Sequence, residues 1–280
     1  MKKFLAFTLA LTMALSLAAC GKTAEKPAEN AAPSAEASAE PVTINVFAAA
    51  SLTETLNQII EMYKTVAPNV TVTPTYDSSG TLQKQIEEGA DCDVFFSAAQ
   101  KQMDALDLTQ DAEKNPNKQD FIAPDTRVNL LENKVVLVVP EGNPANITKF
   151  TDIANAKMLA LGNSDVPVGS YSLKILDFLK LDIKALENEG KVTYGTNVKE
   201  VVTQITESTV DCGIVYATDA FSSKLTVVDT ATKDMCGQVI YPAAVLNASK
   251  NADAAKAFLD YLKTDDAMKI FEGVGFTKAQ

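Results

Sequence analysis

Two short stretches combine hydroxyl groups, small residues and an expected helix start. In FAAASLTETL, residues 47–56, an apolar run ends on three alanines and Ser51, with no charge before Glu54. The run Asp77-Ser78-Ser79-Gly80-Thr81 repeats the arrangement before a second helical pattern. A helix N-terminus presents unpaired N–H groups and a partial positive charge, and small residues let a ligand approach them. A serine hydroxyl there can accept a bond and still donate its own proton. The chemistry on offer is capture of an anion by neutral donors. The competing reading is that these serines only cap helices, which is a common use of serine at such positions.

The remaining composition narrows the alternatives. The chain of 280 residues has no histidine, which removes Ser-His-Asp and Cys-His catalysis and histidine-ligated metal sites. Beyond Cys20, the cysteines are Cys92, Cys212 and Cys236, which allow either one disulfide with a thiol left over or three buried free thiols. No nucleophile paired with a base, metal-ligand cluster or cofactor motif stands out, so neither an enzyme nor a cofactor is expected.

Both junctions belong to a repeated unit in which a β-rich run leads into a helical pattern. VTINVFAAA leads into SLTETLNQIIEMY, VTVTPTYDSS into GTLQKQIEEG, MLALGNSDVPVG into SYSLKILDFLK, and KVTYGTN into VKEVVTQITE. In the first helix Leu52, Leu56, Ile59 and Tyr63 share a face, and Ser51 with Glu54 has capping-box spacing. Asn197 and Glu200 have the same spacing, and Gly89 stands where a helix should stop. DVFFSA, KVVLVVP, CGIVYA and QVIYPAAV add further strands. Alternating strands and helices predict an α/β fold with ligands at the carboxyl ends of strands.

From residue 43 to 278 the chain resembles the molybdate-binding proteins of bacterial ABC importers. The resemblance rests on FAAASLTETL, SSGTLQKQIEEGADCDVFFSAAQKQMDAL, VPVGSYSLKIL, CGIVYATDA, VIYPAAV and the ending AKAFLDYLKTDDAMKIFEGVGF, in that order. It implies a two-lobed type II periplasmic-binding-protein fold with the oxyanion enclosed between lobes. The lobes are expected at residues 43–125 plus 238–280 and at 126–237. It places oxyanion-contacting hydroxyls on Ser51, Ser79 and Tyr216, and main-chain donors on Val168 and Val198. Gly80 stands where a third serine is often seen, and Val168 where alanine is usual. For Tyr216 the plainer alternative is a core tyrosine at a strand end.

A cage of this kind, with no lysine or arginine at any inferred contact, would hold a tetrahedral dianion such as molybdate or tungstate. Hydrogen phosphate would leave its proton unpaired among donors, unless Asp77 or Asp165 points inward. Sulfate would have to be refused by size. The alternatives are a binding protein for sulfate, phosphate or a carboxylate solute, and, further off, an enzyme on a related two-lobed fold.

The first twenty residues, MKKFLAFTLALTMALSLAAC, combine two lysines with an apolar run too short to span a membrane and ending in small residues, which reads as a signal peptide over residues 1–19. Leu-Ala-Ala-Cys resembles a lipobox, with Cys20 as the lipidated first residue; the alternative is an ordinary signal with a chance cysteine. Residues 20–42 form an expected disordered tether, rich in Ala, Glu, Pro and Ser. The chain has 25 basic and 36 acidic residues; loss of Lys2 and Lys3 with the signal leaves a net charge of −13, which disfavours nucleic acid as a partner. The expectation is a monomeric, lipid-anchored extracytoplasmic protein serving an ABC permease.

Overall fold

A computed structural model describes residues 40–280; the expected signal peptide, Cys20 and the tether through residue 39 lie outside the described residues. In chain order the first elements are β1 (Val42–Ala49), α1 (Thr53–Val66), β2 (Val70–Asp77), α2 (Ser79–Glu87), β3 (Val94–Phe96), α3 (Gln100–Asp104), β4 (Val128–Asn133) and β5 (Val135–Val139). Next come β6 (Leu159–Gly162), α4 (Pro167–Phe178), α5 (Ile183–Asn188), β7 (Val192–Gly195), α6 (Val198–Thr206), β8 (Cys212–Tyr216) and α7 (Ala217–Ser222). The last are β9 (Thr226–Thr230), α8 (Lys233–Cys236), β10 (Val239–Val245), α9 (Ala252–Tyr261), α10 (Asp265–Gly273) and β11 (Thr277–Lys278). Each β-rich run singled out in the sequence is a strand.

The strands form two sheets, each the centre of one lobe. The first has the order β11-β4-β10-β3-β1-β2 and the second β7-β6-β8-β5-β9. Both are mixed: β1 pairs parallel with β2 and β3, whereas β10 runs antiparallel to β3 and β4. The chain passes between sheets at Lys134, between β4 and β5, and again between β9 and β10. The expected boundary at residue 126 is therefore not where the sheets part, because β4 pairs with β10 and β11 in the first sheet. Its sequence, VNLLEN, offers only a short apolar core, and its partners lie more than a hundred residues downstream.

Period-two burial explains why the first sheet is covered on both faces. Val46, Ala48, Val94, Phe96, Ala243 and Val245 enter one core, while Phe47, Phe95 and Ala244, alternating with them, enter a second core with Leu82, Ile86 and Met103. Helix α1 buries Leu56, Ile59 and Tyr63 on the face that its spacing predicts, with Leu52 just before it. Helix α2 stops at Glu88, and Gly89 follows at φ +90°, a left-handed conformation suited to glycine. Cys92, Cys212 and Cys236 are buried free thiols.

Candidate functional site

Four helical starts lie at the carboxyl ends of strands, two from each lobe, and touch across the lobes in two pairs. Ser51 lies in a 3-10 turn, Ala50–Leu52, between β1 and α1. Ser79 is the first residue of α2, Val168 the second of α4, and Val198 the first of α6. Tyr216 ends β8 and enters α7. All five residues are buried.

Contacts across the interlobe surface show which starts face each other. The Gly80 N–H, one residue past Ser79, donates to the Asp165 carbonyl at 3.0 Å, three residues before Val168. Lys199 Nζ, one residue past Val198, donates to both carboxylate oxygens of Glu54 at 2.9 and 2.8 Å, three residues past Ser51. Helix α6 packs directly against the Ser51 turn. The Tyr216 ring lies edge-on to Tyr241 at 5.6 Å, and the Tyr241 hydroxyl reaches Ser51 Oγ at 3.0 Å.

The hydrogen bonds leave the hydroxyl protons free for an acceptor. Ala98 N–H donates to Ser79 Oγ at 2.9 Å, so the Ser79 proton is uncommitted. Asn133 Nδ2 donates to the Tyr241 hydroxyl at 3.2 Å and to Thr218 Oγ1 at 2.9 Å. Tyr241 can then direct its own proton to Ser51 Oγ, leaving the Ser51 proton to donate outward. Tyr216 Oη is buried and makes no protein hydrogen bond of good geometry among the described residues, so it can serve an acceptor in the cleft. Burial pushes both the Tyr216 and Tyr241 phenols well above their ordinary range, so they remain protonated donors.

The helix ends contribute main-chain donors. Asn197 Oδ1 accepts from the N–H groups of Lys199 and Glu200, which leaves the Val198 N–H without its side chain. No side chain caps α4, and Pro167 at its first position has no N–H, so Val168 carries the first free donor of that helix.

Two sequence expectations about caps need correction. The capping box of Ser51 and Glu54 does not form: Leu52 occupies the N-cap of α1 without a side-chain bond, Ser51 Oγ turns to Tyr241, and Glu54 turns to Lys199. The intervening 3-10 turn moves the helix start past Ser51. At Asn197 the cap forms, but Glu200 reaches back to the Thr196 N–H rather than to Asn197.

The charged groups nearby are engaged with one another or with main chain. Asp77 accepts from the Ser78 N–H at 2.7 Å, and Asp165 Oδ2 pairs with Lys84 Nζ at 2.6 Å. Lys199 Nζ lies 2.9 Å from Asp219 Oδ1, and neither Asp219 oxygen has another partner. Burial raises the Asp219 carboxyl above its ordinary range, with Lys199 opposing it. For Lys199, burial acts downward, but Asp219 and Glu54 outweigh it and hold the ammonium above its ordinary range. The cation nearest Val198 is thus matched by two carboxylates.

Sequence reasoning assigned no role to Tyr241, Asn133, Gly80, Lys199 or Asp219. VIYPAAV was visible as a strand and as part of the resemblance, but nothing local marks its tyrosine as the partner of a serine 190 positions earlier.

A family model described as bacterial extracellular solute-binding protein matches residues 44–277. Among curated relatives, the Bacillus subtilis protein named "Putative ABC transporter substrate-binding lipoprotein YvgL" is 37% identical over 238 residues, covering 84% of this chain and 86% of the relative. The molybdate-binding protein ModA of Escherichia coli is 36% identical over 244 residues, covering 84% and 88%. Among solved structures, the "substrate binding domain of putative molybdenum ABC transporter from Clostridium difficile" superposes with a TM-score of 0.63 at 35% identity, covering 85% of this chain and all of that one. The periplasmic molybdate-binding protein of Azotobacter vinelandii gives a TM-score of 0.71 over 85% of this chain and 100% of its own; at 21% identity that likeness concerns the two-lobed fold alone.

Proposed function

Because the chain belongs to the bacterial extracellular solute-binding protein family, we propose that it captures molybdate, and equally tungstate, outside the cytoplasm and delivers it to an ABC permease. What supports this reading most is a set of buried donors without committed acceptors at helical starts of both lobes: the hydroxyls of Ser51, Ser79 and Tyr216 and the N–H groups of Val168 and Val198. A fully deprotonated tetrahedral dianion can accept from all of them. Charge-assisted bonds contribute about 1.5–3 kcal/mol each, and helix ends about 0.3–1 kcal/mol, so the set can offset dehydration of the anion.

Binding rather than catalysis fits the partners of the two serines. Ser51 Oγ meets the Tyr241 hydroxyl, which burial keeps protonated, and Ser79 Oγ a main-chain N–H, so neither serine has a base beside it. Refusal of hydrogen phosphate is supported by the commitments of Asp77 and Asp165 to Ser78 and Lys84. Calorimetric titration of the body from residue 40 onward with molybdate, tungstate, sulfate, phosphate and a dicarboxylate tests the reading. Heat and saturation are expected for the first two; saturable binding of phosphate or the dicarboxylate in preference to them would overturn it.

The anchor belongs to the same proposal. Cys20 follows Leu-Ala-Ala, and the B. subtilis relative is named a lipoprotein. A monomer tethered by lipid at Cys20 would keep its cargo near the permease. Cys20→Ser should release the protein from the membrane fraction and remove the lipid mass from its N-terminal peptide, with oxyanion affinity unchanged. Equal membrane recovery of both forms without lipid would contradict the anchor.

A further inference from the structure

Gly80 stands at a point where the lobes touch through main chain. Its N–H donates to the Asp165 carbonyl at 3.0 Å. A Cβ at Gly80 would fall 2.3 Å from that oxygen and 2.9 Å from both the carbonyl carbon and Cα of Asp165, distances that real Cβ atoms essentially never show. The obstacle is backbone, which cannot swing aside as a side-chain tip does.

The Asp165 side of the contact is held from behind. Its N–H donates to Asn163 Oδ1 at 2.9 Å and the Val166 N–H donates to the Asn163 carbonyl at 3.1 Å, while Asp165 Oδ2 reaches across to Lys84 Nζ of α2 at 2.6 Å. Further along the same turn, a Cβ at Gly169 would lie 2.3 Å from the Gly162 carbonyl oxygen and 2.4 Å from that of Asn163, so the first turn of α4 rests directly on the end of β6. On the other side Gly80 is the second residue of α2, next to Ser79. One hydrogen-bond length therefore sets the spacing between the starts of α2 and α4.

We propose that Gly80 and the Asp165 carbonyl form the closing stop that sets the diameter of the oxyanion cage, making Gly80 a residue that determines which tetrahedral dianion is gripped. The inference rests on the oxyanion-binding reading above. Tetrahedral dianions of one charge and shape differ in bond length by a few tenths of an ångström. Donors on opposite lobes can feel such a difference only if a rigid contact fixes how far the lobes approach. A methyl group at residue 80 must move the contact from 2.3 Å to at least 3.0 Å, which is larger than the difference between neighbouring ions in the series.

The test is titration of wild type, Gly80→Ala and Asp165→Ala with molybdate, chromate, selenate and sulfate. Gly80→Ala should weaken the smaller ions more than molybdate, shifting the molybdate-to-sulfate ratio by about tenfold or more. Asp165→Ala keeps the carbonyl and loses only the Lys84 pair, so it should keep the wild-type order. Equal changes for all four ions in Gly80→Ala, no change, or a loss that grows with ion size would overturn the stop. Hydrogen exchange at the Gly80 amide of wild type is independent of how any variant folds. The amide should be protected in saturated protein and exchange faster without ligand; equal exchange would also overturn the stop. Wild type that binds none of the four ions would overturn the binding reading and the stop together, whereas binding by wild type with an unaltered Gly80→Ala order overturns the stop alone.

Discussion

Tyr216→Phe should weaken molybdate binding about 10- to 150-fold while leaving the melting temperature of the ligand-free protein nearly unchanged. The first effect follows from losing a hydrogen bond to a charged acceptor, about 1.5–3 kcal/mol. The second follows from packing: Phe keeps the ring contacts with Tyr171 and Tyr241 and removes only the hydroxyl that faces the proposed ligand.

Ser79→Ala and Ser51→Ala should weaken binding by a similar factor but lower the apo melting temperature. The first strands the Ala98 N–H in a buried setting, and the second removes one of the two partners of the Tyr241 hydroxyl. Helix capping does not enter, because Ser78 caps α2 and no side chain caps α1. Val168→Ala should leave affinity within about twofold, since its proposed contact is main-chain, although the lost core methyls will lower stability. Calorimetry and thermal melts on these four variants separate the two quantities. If the three hydroxyl deletions bind molybdate as tightly as wild type, the cage lies elsewhere.

Lys199→Met should destabilise the fold by about 3–5 kcal/mol near neutral pH, because it leaves Asp219 as an uncompensated buried charge. Its other partner, Glu54, is half-exposed and would be released to water, so Glu54→Gln should cost no more than about 1 kcal/mol. The pH dependence has a definite sign. Burial holds the Asp219 carboxyl above its unfolded value, and a raised carboxyl stabilises the fold below the unfolded pKa and loses that contribution as pH rises through the folded one. Without Lys199 that pKa moves further up, so the deficit of Lys199→Met should be small in acid and grow toward alkaline pH. Adding Asp219→Asn to Lys199→Met should recover part of the loss. Urea unfolding between pH 5 and 8 measures this; a deficit under about 1 kcal/mol at pH 8 would show that Asp219 does not depend on Lys199.

Much of the fold was legible because strands and helices write their periods locally. The buried face of α1, the stop at Gly89 and the alternation through β1, β3 and β10 depend on residues a few positions apart. The strands that went unrecognised, β4, β9 and β11, are short or half-exposed, and pairing with distant partners rather than local pattern makes them strands. The displaced start of α1 has the same character. Ser51 and Glu54 had capping-box spacing, but Tyr241 and Lys199 offered each a partner that local geometry could not reveal.

Local sequence specified the α/β alternation and the placing of small residues and hydroxyls at helix starts, and the resemblance added the five donors proposed for the oxyanion. These depend on neighbouring residues and backbone conformation, which short segments carry with them. Tertiary structure alone decided the rest. It set the Ala98 N–H on Ser79 Oγ and Tyr241 on Ser51 Oγ, placed Lys199 between Glu54 and Asp219, and brought the Asp165 carbonyl against Gly80. Each of those contacts except the Ala98 bond joins groups tens to nearly two hundred residues apart or on different lobes. Their geometry exists only after the two sheets have formed and met, because separation along the chain encodes no distance in space.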